Sequence, residues 1–173
     1  MIRKILLLGD PRLYEVCTPV APEEFPALQS AVTDLQDTLL DFRARTGFGR
    51  AIAAPQIGVM KRLIYLNAGT PTAIFNPVME FPDDELMEVM DDCMSFPGLL
   101  VKVLRHRRCV LRYQDADGKA QVMELEGDFS ELLQHEYDHL DGILAVMRAI
   151  DSRSYFFKEA LSAAKLSPQE TDG

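Results

Sequence analysis

The chain is poor in three features that would each announce a class of protein. It has only three cysteines, Cys17, Cys93 and Cys109, an odd number spread over 173 residues. That spacing does not suggest a disulfide framework and fits a reducing cytoplasm. Cys17 and Cys109 sit among apolar residues and read as inert small hydrophobes. No apolar run approaches the ~20 residues needed to cross a bilayer, and Ile5-Leu6-Leu7-Leu8, broken by Gly9-Asp10-Pro11, is too short for a signal sequence. Basic residues are also scarce, 18 Lys and Arg against 27 Asp and Glu, a net charge of −9. That balance argues against a protein that grips nucleic acid electrostatically. The exception, Arg105-His106-Arg107-Arg108, reads as a solvated strand or loop edge.

What is present is the balance of an ordinary globular protein, 47% hydrophobic and 26% charged, long enough for one domain with a real core. We expect a single domain over residues 1–166 and a polar, frayed tail over 167–173. A helix is expected from about Ala27 to Arg45, with Leu28, Val32, Leu35, Leu39 and Phe42 on one face and Gly47 closing it. Residues 62–66 and 73–76 read as strands, and Glu85 to Met90 as a strand that delivers the chain to Cys93. Cys109–Tyr113 and Gln121–Leu125 flank Asp115-Ala116-Asp117-Gly118, a hairpin signal. A second amphipathic helix is expected from about Ser152 to Lys165. Strands in the middle, one helix before and two after, make the fold class α+β, with antiparallel sheet packed around a central helix.

That central helix carries Gln134-His135-Glu136-Tyr137-Asp138-His139, an H-E-x-x-H motif. On an α-helix His135 and His139 stand one above the other and can share a metal ion, while Glu136 reaches a water beside it. Asp128 reads as the N-cap with Glu131 three residues on, the apolar residues around the motif repeat at helical spacing, and Gly142 reads as the helix end. A catalytic site of this kind has three protein ligands and an open position. The third ligand is not a histidine six residues after His139, because that position is Ala145. Glu159 stands at a thermolysin-like distance and Cys93 lies upstream; both remain candidates.

Gly49-Arg50-Ala51-Ile52-Ala53-Ala54-Pro55-Gln56, then Cys93-Met94-Ser95-Phe96-Pro97-Gly98, then Gln134 to Gly142 resemble, in order and spacing, the three motifs of peptide deformylases, and the opening Ile5 to Leu13 is similar to that family's N-terminus. The resemblance implies a metal-dependent hydrolase that removes the N-formyl group from the formyl-methionine of new polypeptides. It implies one divalent metal ion per chain, iron(II), with zinc or nickel accommodated, held by Cys93, His135 and His139. It also implies Glu136 as the proton carrier, with the Gln56 amide and the Met94 backbone N–H as oxyanion donors, and a supporting salt bridge between Arg105 and Asp91. The expected partner is a formylated peptide or small formylated substrate. The acidic tail lacks the basic character of a ribosome-docking extension.

The departures from the family's pattern are grouped. Beside Gly49, Arg50 and Ala51 stand where the family has a hydrophobic residue and a second glycine, and Asp91-Asp92 stand where it has Glu-Gly. Asp128 takes the place of an apolar residue of the methionine pocket. By the resemblance these positions bind substrate. Arg50 could pair with Asp92 across the groove or hold a substrate carboxylate. A deformylase-like hydrolase acting on another formylated small molecule or amine, a thermolysin-type peptidase using Glu159, and a non-catalytic metal-binding relative are the alternative functions.

Overall fold

A computed structural model describes residues 1–166, with side chains to residue 164; the tail expected over 167–173 lies outside the described residues. The fold is α+β. Helix α1 (Phe25–Thr46) ends where Gly47 adopts a left-handed conformation, φ 81°, and donates its N–H to Arg43. A residue with a Cβ resists that conformation, so the glycine stops the helix. Its inner face, Leu35, Leu39 and Phe42, is buried, with Leu28 and Val32 packed alongside.

Two antiparallel sheets follow. One runs in the order β1 (Ala51–Ala53), β2 (Leu63–Leu66), β3 (Thr72–Glu80), β6 (Arg108–Gln114), β7 (Ala120–Glu126). The other is β4 (Leu86–Asp91), β5 (Leu99–His106), β8 (Tyr155–Phe157). The hairpin turn between β6 and β7 lies where its Asp-Gly signal puts it. Three strands were not anticipated. β1 lies inside the first motif. β5 pairs with the whole of β4, and its Arg105 is only 3% exposed, so the basic run is not a solvated edge at that position. β8 takes residues expected to be helical and pairs Tyr155–Phe157 with Leu99–Val101, so the last helix, α3 (Lys158–Leu166), is shorter than expected.

Helix α2 (Asp128–Leu140) lies between the sheets, which explains why nearly every side chain from Leu133 to Leu140 is buried rather than one face only. Burying Leu133 and Leu140 completely contributes about 2 kcal/mol each. Gln134 ties the helix to β5: its Nε2 donates to the His106 carbonyl at 2.8 Å and its Oε1 accepts from the His106 N–H at 2.9 Å. The start differs from the expected capping box. Gly127 precedes the helix, Asp128 is its exposed first residue, and Glu131 faces a cavity instead of the cap. At the other end Gly142 has φ 71°, and a Cβ there would meet the Tyr14 carbonyl oxygen at 2.5 Å, so only glycine lets the N-terminal segment pass this close. That segment joins no sheet. Its Leu6 N–H donates to the Gln56 carbonyl and its Leu8 N–H to the Ser95 carbonyl, bracing two motifs at once.

Candidate active site

Helix α2, the turn after β4 and the 3-10 turn after β1 converge beside a cavity of about 790 Å³ whose lining includes Gln56, Cys93, His135 and Glu136. Helix α2 presents His135 and His139 one turn apart, their ring centroids 5.0 Å from each other. The turn after β4 brings in Cys93, whose Sγ lies 3.3 Å from His139 Nε2. The three side chains are buried and their donor atoms all lie within 4.8 Å of one another. An ion bound tetrahedrally by one sulfur and two nitrogens spaces such donors about 3.5 Å apart, so the set fits a metal. Glu159 is exposed on the first turn of α3 and is not part of this group, which removes it as third ligand.

The imidazoles stand in contrasting fields. His139 is pushed well below its usual pKa, by burial first and then by the charge of His135, and so favours the neutral form a metal needs. Burial opposes charge on His135 as well, but Asp91 and Cys93 outweigh it and raise its pKa. His135 Nδ1 lies 2.9 Å from Asp91 Oδ1, close enough for the carboxylate to fix the orientation of the ring. Glu136, buried beside the ligands with one carboxylate oxygen lacking a hydrogen-bond partner, is raised to about 7 by that burial, with His135 pulling the other way.

Gln56 sits on a 3-10 turn that follows β1 directly. Its Oε1 accepts from the Ala53 N–H at 2.9 Å, which fixes the amide's orientation. Nε2 then donates to Ser95 Oγ at 3.1 Å and lies 3.6 Å from Cys93 Sγ. An uncharged donor is thus held at the ligand cluster before any substrate arrives, as the stabilisation of a developing oxyanion requires. Met94, the next residue after Cys93, lines the same cavity. In the sequence Ser95 stands out only as a member of the motif around Cys93; its role in holding Gln56 depends on a contact between distant segments.

Behind the ligands is a charge network whose members Arg105, Asp91 and Asp138 are buried and whose outer member, Arg148, is exposed. Arg105 donates to Asp91 at 2.8 Å and to Asp138 at 2.6 Å, and Arg148 makes two further bonds to Asp138. Burial would raise the Asp91 carboxyl, but His135 and Arg105 hold it down at about 2. The expected Arg105–Asp91 bridge is present, whereas Asp138 and Arg148 carried no signal that set them apart. Removing one member of such a network leaves a buried charge unmatched. Arg105→Leu is therefore expected to destabilise the protein by about 3–5 kcal/mol in denaturant unfolding and to weaken metal binding by roughly 10- to 100-fold; unfolding within 1 kcal/mol of wild type would contradict it.

The cavity beyond the ligands is lined by Gly49, Arg50, Ala51, Asp92 and Glu131 among others. Asp128 does not line it, so the exposed start of α2 is not part of the groove. Arg50 does not pair with Asp92. Its Nη2 lies 3.3 Å from Glu131, while Asp92 binds Lys158 at 2.9 Å, with the Lys158 ammonium 4.0 Å over the Phe48 ring. Glu131 could have been placed from its spacing, four residues before His135 and hence on the same helix face.

A family model described as polypeptide deformylase matches residues 2–154. The chain is 36% identical over 185 residues to peptide deformylase 1 of Prochlorococcus marinus, covering 98% of this chain and 94% of the relative. It is 38% identical over 150 residues to a peptide deformylase-like protein of Brucella melitensis, covering 85% and 88%. Among solved structures it is similar to the peptide deformylase of Legionella pneumophila, with a TM-score of 0.78, 35% identity and 86% of each chain covered. The Synechococcus elongatus enzyme in complex with actinonin gives 0.78 at 28% identity, covering 95% of this chain and 87% of that one.

Proposed function

The chain belongs to the polypeptide deformylase family, and from that premise we propose that Cys93, His135 and His139 hold iron(II), that Glu136 carries the proton, and that Gln56 and Met94 stabilise the oxyanion. The chain is a metal-dependent hydrolase that removes the formyl group from N-terminal formyl-methionine. The reaction adds one water across the formyl amide and releases formate and a free amine. The observation that carries the assignment of roles is the convergence of the Cys93, His135 and His139 donor atoms, with Cys93, His135 and Glu136 lining one cavity.

A divalent ion held there supplies Lewis acidity, which polarises water and the formyl carbonyl. Glu136, buried and with one oxygen free, accepts the proton as water attacks the formyl carbon and returns it to the amine nitrogen as the C–N bond breaks. The Gln56 Nε2–H and the Met94 N–H donate to the carbonyl oxygen as it gains charge; each such donor typically lowers the barrier by ~3 kcal/mol. Asp91, anchored by Arg105, keeps the His135 ring turned toward the ligand cluster. Thiolate with imidazole suits iron, zinc and nickel alike, and the choice of iron rests on the resemblance. The three free cysteines support a reducing cytoplasm as the working compartment; among the described residues no helix is long and apolar enough to cross a membrane.

Formate release from formyl-Met-Ala-Ser by anaerobically purified protein tests the reading. The iron-loaded form is expected to turn over faster than the zinc form, and activity should vanish on chelation and return with metal. Release that survives complete removal of metal would overturn the metal roles.

A further inference from the structure

The cavity extends from the ligand cluster past the start of β1, and its far end carries a cation that no carboxylate answers. Resting on the deformylase reading, we infer that Arg43 binds a carboxylate of the substrate some three residues beyond the formyl group, supplied by an acidic side chain or by the C-terminus of a short formyl-methionyl peptide. The reacting residue remains formyl-methionine.

Strand β1 sets the distance. The Ala53 N–H at its end donates to the Gln56 side chain, and Gly49 stands four residues earlier, up to roughly 13 Å back along the chain. An extended substrate with the same rise per residue covers that span with three or four residues. There Arg43 reaches in from the last turns of α1. Its Nε donates to the Gly49 carbonyl at 2.8 Å and its Nη2 to the Asn67 carbonyl at 2.6 Å, so the guanidinium is fixed where three stretches of the wall meet. These bonds do not neutralise it, because carbonyls carry no charge and Nη1 makes no hydrogen bond among the described residues. The other lining charges are matched. Asp91 is held by Arg105, Asp92 by Lys158, and Glu131 by Arg50, whereas among the described residues Arg43 has no ion-pair partner. A half-buried guanidinium already held by two bonds has little freedom left to lose, and its free edge suits a carboxylate. On a chain with a net charge of −9, which repels an acidic peptide at long range, this local cation reverses the preference inside the cavity.

On the metal-loaded protein, kcat/KM is compared for formyl-Met-Ala-Ser as free acid and as C-terminal amide, and for the amides of formyl-Met-Ala-Glu, formyl-Met-Ala-Gln and formyl-Met-Ala-Lys. The series is repeated with Arg43→Gln and Arg43→Lys, and Kd is measured for the deformylated product peptides. The free acid and the glutamate amide are expected to exceed their neutral counterparts by about five- to thirtyfold, with the lysine amide lowest. Arg43→Lys keeps the cation and should keep that order; Arg43→Gln should level it. A gain confined to the free acid assigns the chain terminus as the ligand, and one confined to the glutamate amide assigns the side chain. Equal rates across the wild-type series overturn the inference without either variant, and a carboxylate preference that persists in Arg43→Gln removes Arg43 as its source. If no peptide releases formate, the product peptides decide: tighter binding of those that carry the carboxylate keeps the Arg43 site and sinks the deformylase reading, and binding without order sinks the site.

Discussion

Glu136→Gln is expected to lower formate release by about 10²- to 10⁴-fold while the protein still binds one metal ion per chain. The substitution keeps the shape of the side chain and removes its capacity to take a proton, so metal content and activity should separate. Metal content equal to wild type with formate release within tenfold would remove Glu136 as the proton carrier. The same variant has a second consequence, for stability. Burial raises the Glu136 carboxyl from 4.5 to about 7, so in the metal-free protein the folded state binds more protons than the unfolded state between those values. Stability from this group is then fully present below about pH 4.5 and is lost as pH rises through 7, on the order of 3 kcal/mol. Metal-free Glu136→Gln should lack that slope and unfold at a higher denaturant concentration than metal-free wild type at pH 8. An active-site base that costs stability is the usual trade between function and fold.

Much of the site was legible because its signals are local. The helix spacing of His135, Glu136 and His139 is sufficient to put two ligands and a base on one cavity wall, and a strand that ends beside Cys93 delivers the third ligand. The hairpin between β6 and β7 follows from an Asp-Gly turn between two alternating runs. The misses share a physical origin, since each depends on what lies across the fold. Val101, Val103 and Arg105 alternate inward along β5, and an inward arginine in a run of basic residues looks solvated until Asp91 and Asp138 are known to face it. Tyr155–Phe157 has no turn signal separating it from α3, and only its pairing with Leu99–Val101 makes it a strand. Glu131 fitted an N-terminal capping pattern, but Gly127 shifted the helix start and left the carboxylate to the cavity. Local pattern specifies the chemistry at the metal; long-range pairing specifies the walls that decide what reaches it.

Cys93→Ser is expected to reduce metal content from about one ion per chain to well below it, and formate release in step. Structural sites with four ligands bind zinc with apparent free energies of about 10–16 kcal/mol, so losing one strong ligand of a small set should weaken affinity by on the order of a thousandfold. Serine conserves the size of a buried side chain packed against Phe96, Val101, Val103 and Ala145, so the fold should survive and the loss is read at the ligand. The hydroxyl is a poor substitute because it does not ionise near neutral pH as a metal-bound thiol does. The measurement is metal per chain after dialysis against a weak chelator, beside circular dichroism to show that the helices remain. Retention of one ion per chain with activity within tenfold of wild type would mean that His135 and His139 recruit another ligand. The network behind them leaves few candidates: Asp91 is engaged by Arg105 and His135, whereas Glu136 has a buried carboxylate oxygen without a partner. A site that recruited Glu136 would hold metal and lose its base, so occupancy without turnover is the signature of that particular compensation, and retained activity would point to a ligand other than Glu136.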